Sequence, residues 1–412
     1  SVCTTTLHAT MSPWAYLAAA VGLLAAFVHF WQCQEEDLLA GFIVSGQPHH
    51  FKGEKLPTAA LLKWNPKSLA TAAPRLKDVW VKDAQQNITR FTYFVPNRTL
   101  GPLLKKMPAS HDILGEMATE KLFEGCAADK KRYFYSGLAE GADGLVHSDA
   151  KMLVKNFLHS ISLATEVESP EAKANVWISC PSTGASTHYD MGYNVMIQLF
   201  GSKTFELLPP AALLQLAIPP TGHPHARQVL KEGGYTFSHF ELQPGDALYV
   251  PPLWAHRTTT GEGVSISLNI FVGSAGEQVA EKLTTLPLPF EASWPDGMLQ
   301  LATSLYLDVF LKEVGIQLKH LLARWALVEL QEEQISSCND FNIDMDTSAK
   351  IHLRGKDAAS MVQVLPLEHR VPIALDYADD VLLGMLDPKV IRSVLQECFP
   401  SKPSSDSAEK TW

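Results

Sequence analysis

The chain has 412 residues with 46% hydrophobic side chains, enough to bury one large core and a second smaller one. Its formal net charge is -10 and it has no long run of Lys or Arg, so it carries no electrostatic footprint for wrapping a phosphate backbone. That excludes nucleic acid as an expected partner, whereas a basic peptide would be attracted.

No Asp, Glu, Lys or Arg precedes Glu35, and the stretch from Trp14 to Trp31 is almost wholly apolar, long enough at helical rise to span a bilayer core. Residues 1-34 therefore read as a membrane anchor or signal segment, single-pass or signal-anchored, on the endoplasmic reticulum and secretory route. The sequons at Asn87 and Asn97 suit such a lumenal location. Six cysteines (Cys3, Cys33, Cys126, Cys180, Cys338, Cys398) are scattered without a CxxC pair; they read as buried thiols and leave the compartment open.

Residues 35-276 form the expected catalytic domain. Its lead-in mixes short apolar runs with Pro and Lys, and Trp80-Val81 and Phe91 to Val95 have the aromatic and β-branched content of strands. Helices are expected over His111 to Glu124 and Lys151 to Ala164. From 175 to 273, the core of the domain, Gly and Pro punctuate short strands in the manner of a closed or sandwiched antiparallel architecture. Val195 to Phe200 and Lys203 to Leu208 flank Gly201-Ser202 like a hairpin, and His49-His50 and His223-Pro224-His225 read as loop histidines. Residues 277-400 form a helical region: an amphipathic stripe runs from Met298 to Gln334, with more helix at Ser360 to Leu365 and Ala378 to Cys398. The tail, 401-412, has a disordered composition.

The chemistry concentrates in His188-Tyr189-Asp190. On a strand, side chains two apart share a face, so the imidazole and the carboxylate can reach one ion, and His256 follows after several strands. Two imidazoles and one carboxylate leave coordination positions open, which is the non-haem Fe(II) oxygenase arrangement. Alone, H-x-D is weak evidence. Around it, Lys203 opens a strand where a cation could meet a carboxylate, and Asn194 and Asn269 offer amides from two strands. Ser265, Ser267 and Asn269 share one polar face. Walker A, GxGxxG, G-x-S-x-G and HExxH motifs are all missing from the sequence.

The segments Trp177-Ile178-Ser179, Thr187 to Asp190, Asn194, Lys203, Leu207 to Pro210, Pro244 to His256 and Ser265 to Asn269 together resemble the JmjC/cupin-like hydroxylases, closest to the asparaginyl and lysyl hydroxylases of that group. The resemblance implies a mainly β double-stranded β-helix (jelly-roll) core with flanking helices. It implies His188, Asp190 and His256 as Fe(II) ligands and Lys203 on the far carboxylate of the co-substrate 2-oxoglutarate. Asn194 and Asn269 would lie near the co-substrate, and Tyr133, with Tyr135 as the other choice, would contact its carboxylate. The family's Thr-Pro pair before the first ligand is here Ala185-Ser186, so Ser186, Thr187 or Thr183 would have to supply a hydroxyl. The implied reaction consumes O2 and 2-oxoglutarate, releases succinate and CO2 and hydroxylates a protein or peptide substrate. Two alternatives stay open: an N-methyl lysine or arginine demethylase, and a catalytically silent cupin-fold module for binding or dimerisation. By analogy with the family, the C-terminal helices are expected to form a homodimer contact.

Overall fold

The computed structural model describes residues 46–53, 63–85, 87–95, 97–101, 111–128, 130–138, 173–230, 234–326, 344–387 and 390–391. Its N-terminal half runs β1 (His49–Phe51), α1 (Pro66–Ala72), β2 (Arg75–Asp83), β3 (Thr89–Phe91), β4 (Asp112–Ala118), α2 (Thr119–Ala127) and β5 (Lys131–Leu138). Then follow β6 (Lys173–Ser179), β7 (Thr183–Ala185), β8 (Tyr193–Phe200), β9 (Lys203–Leu208), β10 (Ser238–Leu242), β11 (Ala247–Val250), β12 (Ala255–Thr260) and β13 (Ser265–Val272). Five helices complete the described chain: α3 (Ala275–Thr284), α4 (Asp296–Val314), α5 (Leu318–Ala326), α6 (Met345–Gln363) and α7 (Leu367–Met385).

The large sheet has the order β1-β11-β8-β13-β6-β5-β2-β4, with antiparallel neighbours throughout. The order β10-β9-β12 makes a second antiparallel sheet, and β3 pairs with β7 in parallel. Hydrogen bonds from Lys203 to Ser267 and between Ser179 and Thr260 join the inner faces of the two main sheets, so the β region is a two-layer antiparallel core. One hydrophobic cluster, including Val79, Ile178, Ile197 and Ile266, packs the outer face of the large sheet against α1 and α2. A second unites α3 to α7 with residues of the β region.

Local chemistry explains the joints that matter for the site. Ser274 caps α3, its hydroxyl accepting from the Glu277 N–H while donating to the Met191 carbonyl, which ties the helix start to the segment after Asp190. Gly315, at φ +88°, closes α4 in the left-handed conformation that glycine adopts without a Cβ penalty.

Several expectations are corrected. The segments flanking Gly201-Ser202 are strands with nearly the expected bounds, but β8 pairs with β11 and β13 whereas β9 pairs with β10 and β12. The turn is a sheet-to-sheet crossover rather than a hairpin, and the Gln198 side chain secures it by donating to the carbonyls of Phe200 and Gly201. The first half of the helix expected from His111 is the edge strand β4, because β2 offers it a ladder; only Thr119–Ala127 is helical. His49 and His50 lie in β1 rather than a loop, and His50 bonds Asp246. The helix expected over Ser360 to Leu365 begins far upstream, as α6, and the one expected from Ala378 begins at Leu367, as α7, which accommodates Pro372; the rest of the latter expectation, from 392 to 398, lies outside the described residues. Cys126 and Cys180 are not free thiols: they form a disulfide that links α2 to the end of β6. Packing runs across 276/277: Tyr189, Leu208, Leu253 and Ala255 lie in the same cluster as Phe310 and Tyr377. The N-terminal segment, the helix expected over Lys151 to Ala164 and the tail from Ser401 lie outside the described residues. Among the described residues, no helix is long and apolar enough to cross a membrane.

Candidate metal centre and cavity

His188 and Asp190 lie just beyond β7, and His256 is the second residue of β12. The His188 N–H donates to the His256 carbonyl at 3.0 Å, and the His256 N–H donates back to the His188 carbonyl at 2.7 Å. This backbone pair brings together two positions far apart in the chain and sets the imidazole centroids 4.3 Å apart. His256 Nε2 is 3.6 Å from Asp190 Oδ2, and one ligand atom from each of the three residues lies within 4.8 Å of the others. Among the described residues no other group of three such side chains converges this way.

The imidazoles are oriented from behind. His188 Nδ1 meets the Ser186 carbonyl at 2.8 Å and His256 Nδ1 meets the Trp254 carbonyl at 3.0 Å. A carbonyl can only accept, so Nδ1 donates in both rings, which leaves Nε2 as the atom available to a ligand. Burial first, and then the neighbouring His188, lower the His256 pKa to about 4, so this ring is neutral at physiological pH, the form that ligates. Asp190 Oδ2 is buried and has no hydrogen-bond partner. An orphaned carboxylate oxygen facing two imidazole lone pairs is costly by itself and fits a divalent cation at their focus.

These residues open on a cavity of about 340 Å³ whose lining includes Trp80, Phe134, Trp177, Asn194, Phe205 and Asn269. The inner faces of β6, β8 and β13 contribute an amide chain: Asn269 donates to Asn194 at 3.0 Å and accepts from the Trp177 indole at 2.7 Å and from Asn175 at 3.2 Å. Lys203 is 2% exposed, and its ammonium donates to Ser267 Oγ at 2.8 Å. Desolvation lowers its pKa to about 7. Among the described residues it has no carboxylate partner.

Tyr133 does not belong to this group. Its ring packs against Gly125 on the opposite face of β5, with Tyr135 also in the outer cluster, and the cavity position is taken by Phe134. Of the candidate hydroxyls, Ser186 lines the cavity while Thr183 donates to the Cys180 carbonyl. Sequence reasoning also missed Asn175 and Trp177, although both share the β6 face of Ser179. Arg98 and Arg227, which line the cavity from irregular segments, carried no periodic signal.

Comparison with known proteins supplies the remaining findings. Residues 42–273 match the model of the cupin-like domain. A 91-residue stretch is 32% identical to tRNA wybutosine-synthesizing protein 4 of Aspergillus oryzae, covering 20% of this chain and 9% of that protein. A 112-residue stretch is 34% identical to Jumonji C domain-containing protein 5 of Drosophila melanogaster, covering 23% and 26%. A third, of 142 residues, is 24% identical to lysine-specific demethylase JMJ31 of Arabidopsis thaliana, covering 30% and 25%. The chain thus matches about a quarter or less of the length of each of these relatives.

Proposed function

The chain belongs to the cupin-like domain family, and from that premise we propose that it is an Fe(II)- and 2-oxoglutarate-dependent dioxygenase that hydroxylates a protein side chain. The observation that carries this reading is the convergence of His188, Asp190 and His256 on one point at the cavity wall. Bound there, Fe(II) would supply the oxidative decarboxylation of 2-oxoglutarate with O2 to succinate and CO2, coupled to hydroxylation of the substrate.

The chain's own residues prepare that chemistry. The carbonyls behind both histidines hold Nε2 toward the focus, and Asp190 offers an oxygen with nothing else to bond. Lys203, buried and without a carboxylate partner, would receive the far carboxylate of 2-oxoglutarate, and Ser267 fixes the ammonium's direction. Lys203 is not among the residues lining the cavity but is buried, and a pair made there gains far more than a surface pair would. Asn194 and Asn269, locked into the amide chain, would present polar edges near the co-substrate.

Demethylation of an N-methyl group is the second reading, favoured by an aromatic lining that could hold a methylated ammonium through cation–π contact. The same lining contains Arg98 and Arg227, and among its described residues Asp190 is the only carboxylate, which supports a neutral or acidic target instead. The overall charge of -10 would draw a basic peptide from a distance, but screening beyond about 10 Å leaves the decision at the mouth to the local arginines.

The Cys126–Cys180 disulfide and the exposed sequon residues Asn87 and Asn97 support a secretory-route location. Exposed Leu353, Val364 and Leu367 in the helical region support self-association there, which light scattering on Leu353→Glu would check by the loss of a dimer mass.

The test is succinate release from 2-oxoglutarate by the purified protein with Fe(II) and ascorbate, followed by mass detection on peptide arrays. We expect turnover that His188→Ala abolishes and a +16 product. Formaldehyde with loss of a methyl group would favour the demethylase, and absent turnover and iron uptake would favour the silent binding module.

A further inference from the structure

Between the two proposed ligands His188 and Asp190 lies Tyr189, which alternation sends the other way. It is among the most completely buried side chains of the molecule and packs in the helical cluster, at the edge of the cavity lining. Its hydroxyl donates to Asp376 Oδ1 on α7 at 3.3 Å. The same carboxylate takes Arg324 of α5 at 2.6 Å and approaches Arg227 Nε at 3.6 Å. Arg324 also contacts Asp379 Oδ2 at 3.3 Å, and the Trp325 indole donates to Asp379 Oδ1 at 2.7 Å. Asp379 reaches the loop before Arg227 as well, accepting from the Thr221 N–H at 3.3 Å.

The backbone repeats the arrangement. The Tyr189 N–H donates to the Arg227 carbonyl and the Leu253 N–H donates to the Asp190 carbonyl. Arg227 and Leu253 hold φ of 62° and 66°, left-handed conformations that bulky side chains adopt only where their surroundings dictate it. Asp376 therefore holds the ligand-bearing segment directly through the Tyr189 hydroxyl, and its other oxygen faces, without a hydrogen bond, the Arg227 side chain whose backbone carbonyl the same segment uses.

We propose that Tyr189 and Asp376, braced by Arg324, are positioning residues for the metal ligands, so that the C-terminal helices form part of the metal centre rather than an appendage to it. This rests on the metal site proposed above. The ionic cluster is an expensive way to build stability alone, because buried charges recover their desolvation cost only with near-complete pairing. Its placement directly behind an H-x-D pair gives it a second role: fixing the height and tilt of two ligands whose affinity for a metal depends on geometry.

The experiment titrates Co(II), as an air-stable probe ion, into the full-length protein and follows its visible absorption, alongside thermal melting. Tyr189→Phe deletes one hydroxyl and Asp376→Asn removes one charge. Tyr306→Phe deletes a buried hydroxyl that bonds Tyr377 at 2.8 Å in the same helical layer, and serves as the control for stability. The expected result is Co(II) affinity weakened roughly 3- to 10-fold, with an altered absorption band, in Tyr189→Phe, and Tyr306→Phe unchanged at a similar loss of melting temperature. Equal Co(II) affinity and the same band in Tyr189→Phe and wild type would overturn the proposal. If wild type itself bound no Co(II), the metal-site reading would fail first. Asp376→Asn is expected to follow Tyr189→Phe, and should it not fold, Tyr189→Phe decides alone.

Discussion

The co-substrate role proposed for Lys203 predicts a pH dependence. Its ammonium is buried, and desolvation brings its pKa to about 7, so near neutrality the protein is divided between the charged and neutral forms. A dicarboxylate binds the charged form, and binding above that pH must take up a proton. The KM for 2-oxoglutarate is therefore expected to rise as pH climbs from 7 to 9, approaching tenfold per unit, while below 7 it levels off; initial-rate kinetics at fixed substrate across that range would check it. Lys203→Met should raise this KM by at least about 100-fold at pH 7 and flatten the profile, since a charge-assisted bond in a dry site is lost. An unchanged KM in the variant would remove Lys203 from the co-substrate site. The convergence of His188, Asp190 and His256 was legible because their residue types and spacing suit one ion. Tyr133 was misread because Tyr133-Phe134-Tyr135 is aromatic at every position, so no period-2 contrast shows which parity faces inward. Only the pairing of Phe134 with Ser179 on β6 decides it.

At the scale of elements, strand bounds were legible where Gly and Pro punctuate, as at Gly201-Ser202 and Pro244-Gly245, but strand partners were not. A tight turn in a two-layer sheet can join neighbours or carry the chain between layers, and composition is the same in both cases. The disulfide was equally hidden, because Cys126 and Cys180 are separated by 54 positions and meet only when α2 packs beside β5 and β6. It closes a long loop, so in the chain-entropy account it stabilises by roughly 4 kcal/mol. Replacing both cysteines by Ser is expected to lower the melting temperature by about 5 °C, and reductant should do the same to wild type but not to the variant. Calorimetry with and without dithiothreitol would show this. Because the Tyr133 N–H also donates to Cys180 Sγ and Ser179 anchors Thr260 across the sheets, the loss should loosen β5 and β6, but not the ligand segment, which is held by β12 and α7. Co(II) affinity in the double variant should stay within about twofold of wild type.

For the whole molecule, the sequence suggested a β domain followed by a helical region, and the order of elements agrees. What it hid is that both share one core. Asp376 and Arg324 gave no local signal, because a charged residue inside an amphipathic helix usually marks the solvated face, and their meaning depends on a tyrosine 187 positions away. Yet Tyr189, Leu208, Leu253 and Ala255 pack with Phe310, Leu311 and Tyr377, and Ser274 links α3 to the segment after Asp190. Removing the helices would uncover that apolar surface and leave Arg227 without its carboxylate. Unfolding is thus expected to be a single event. In a guanidinium titration, the far-UV signal dominated by helices and the visible band of bound Co(II) should vanish with coincident midpoints. Phe310→Ala, which empties the centre of the shared cluster and costs about 3–5 kcal/mol, should shift both curves together. Helical signal lost at lower denaturant than Co(II) would mean that the β core holds its metal without α4 to α7, and the shared core would then be an interface between two separately stable parts.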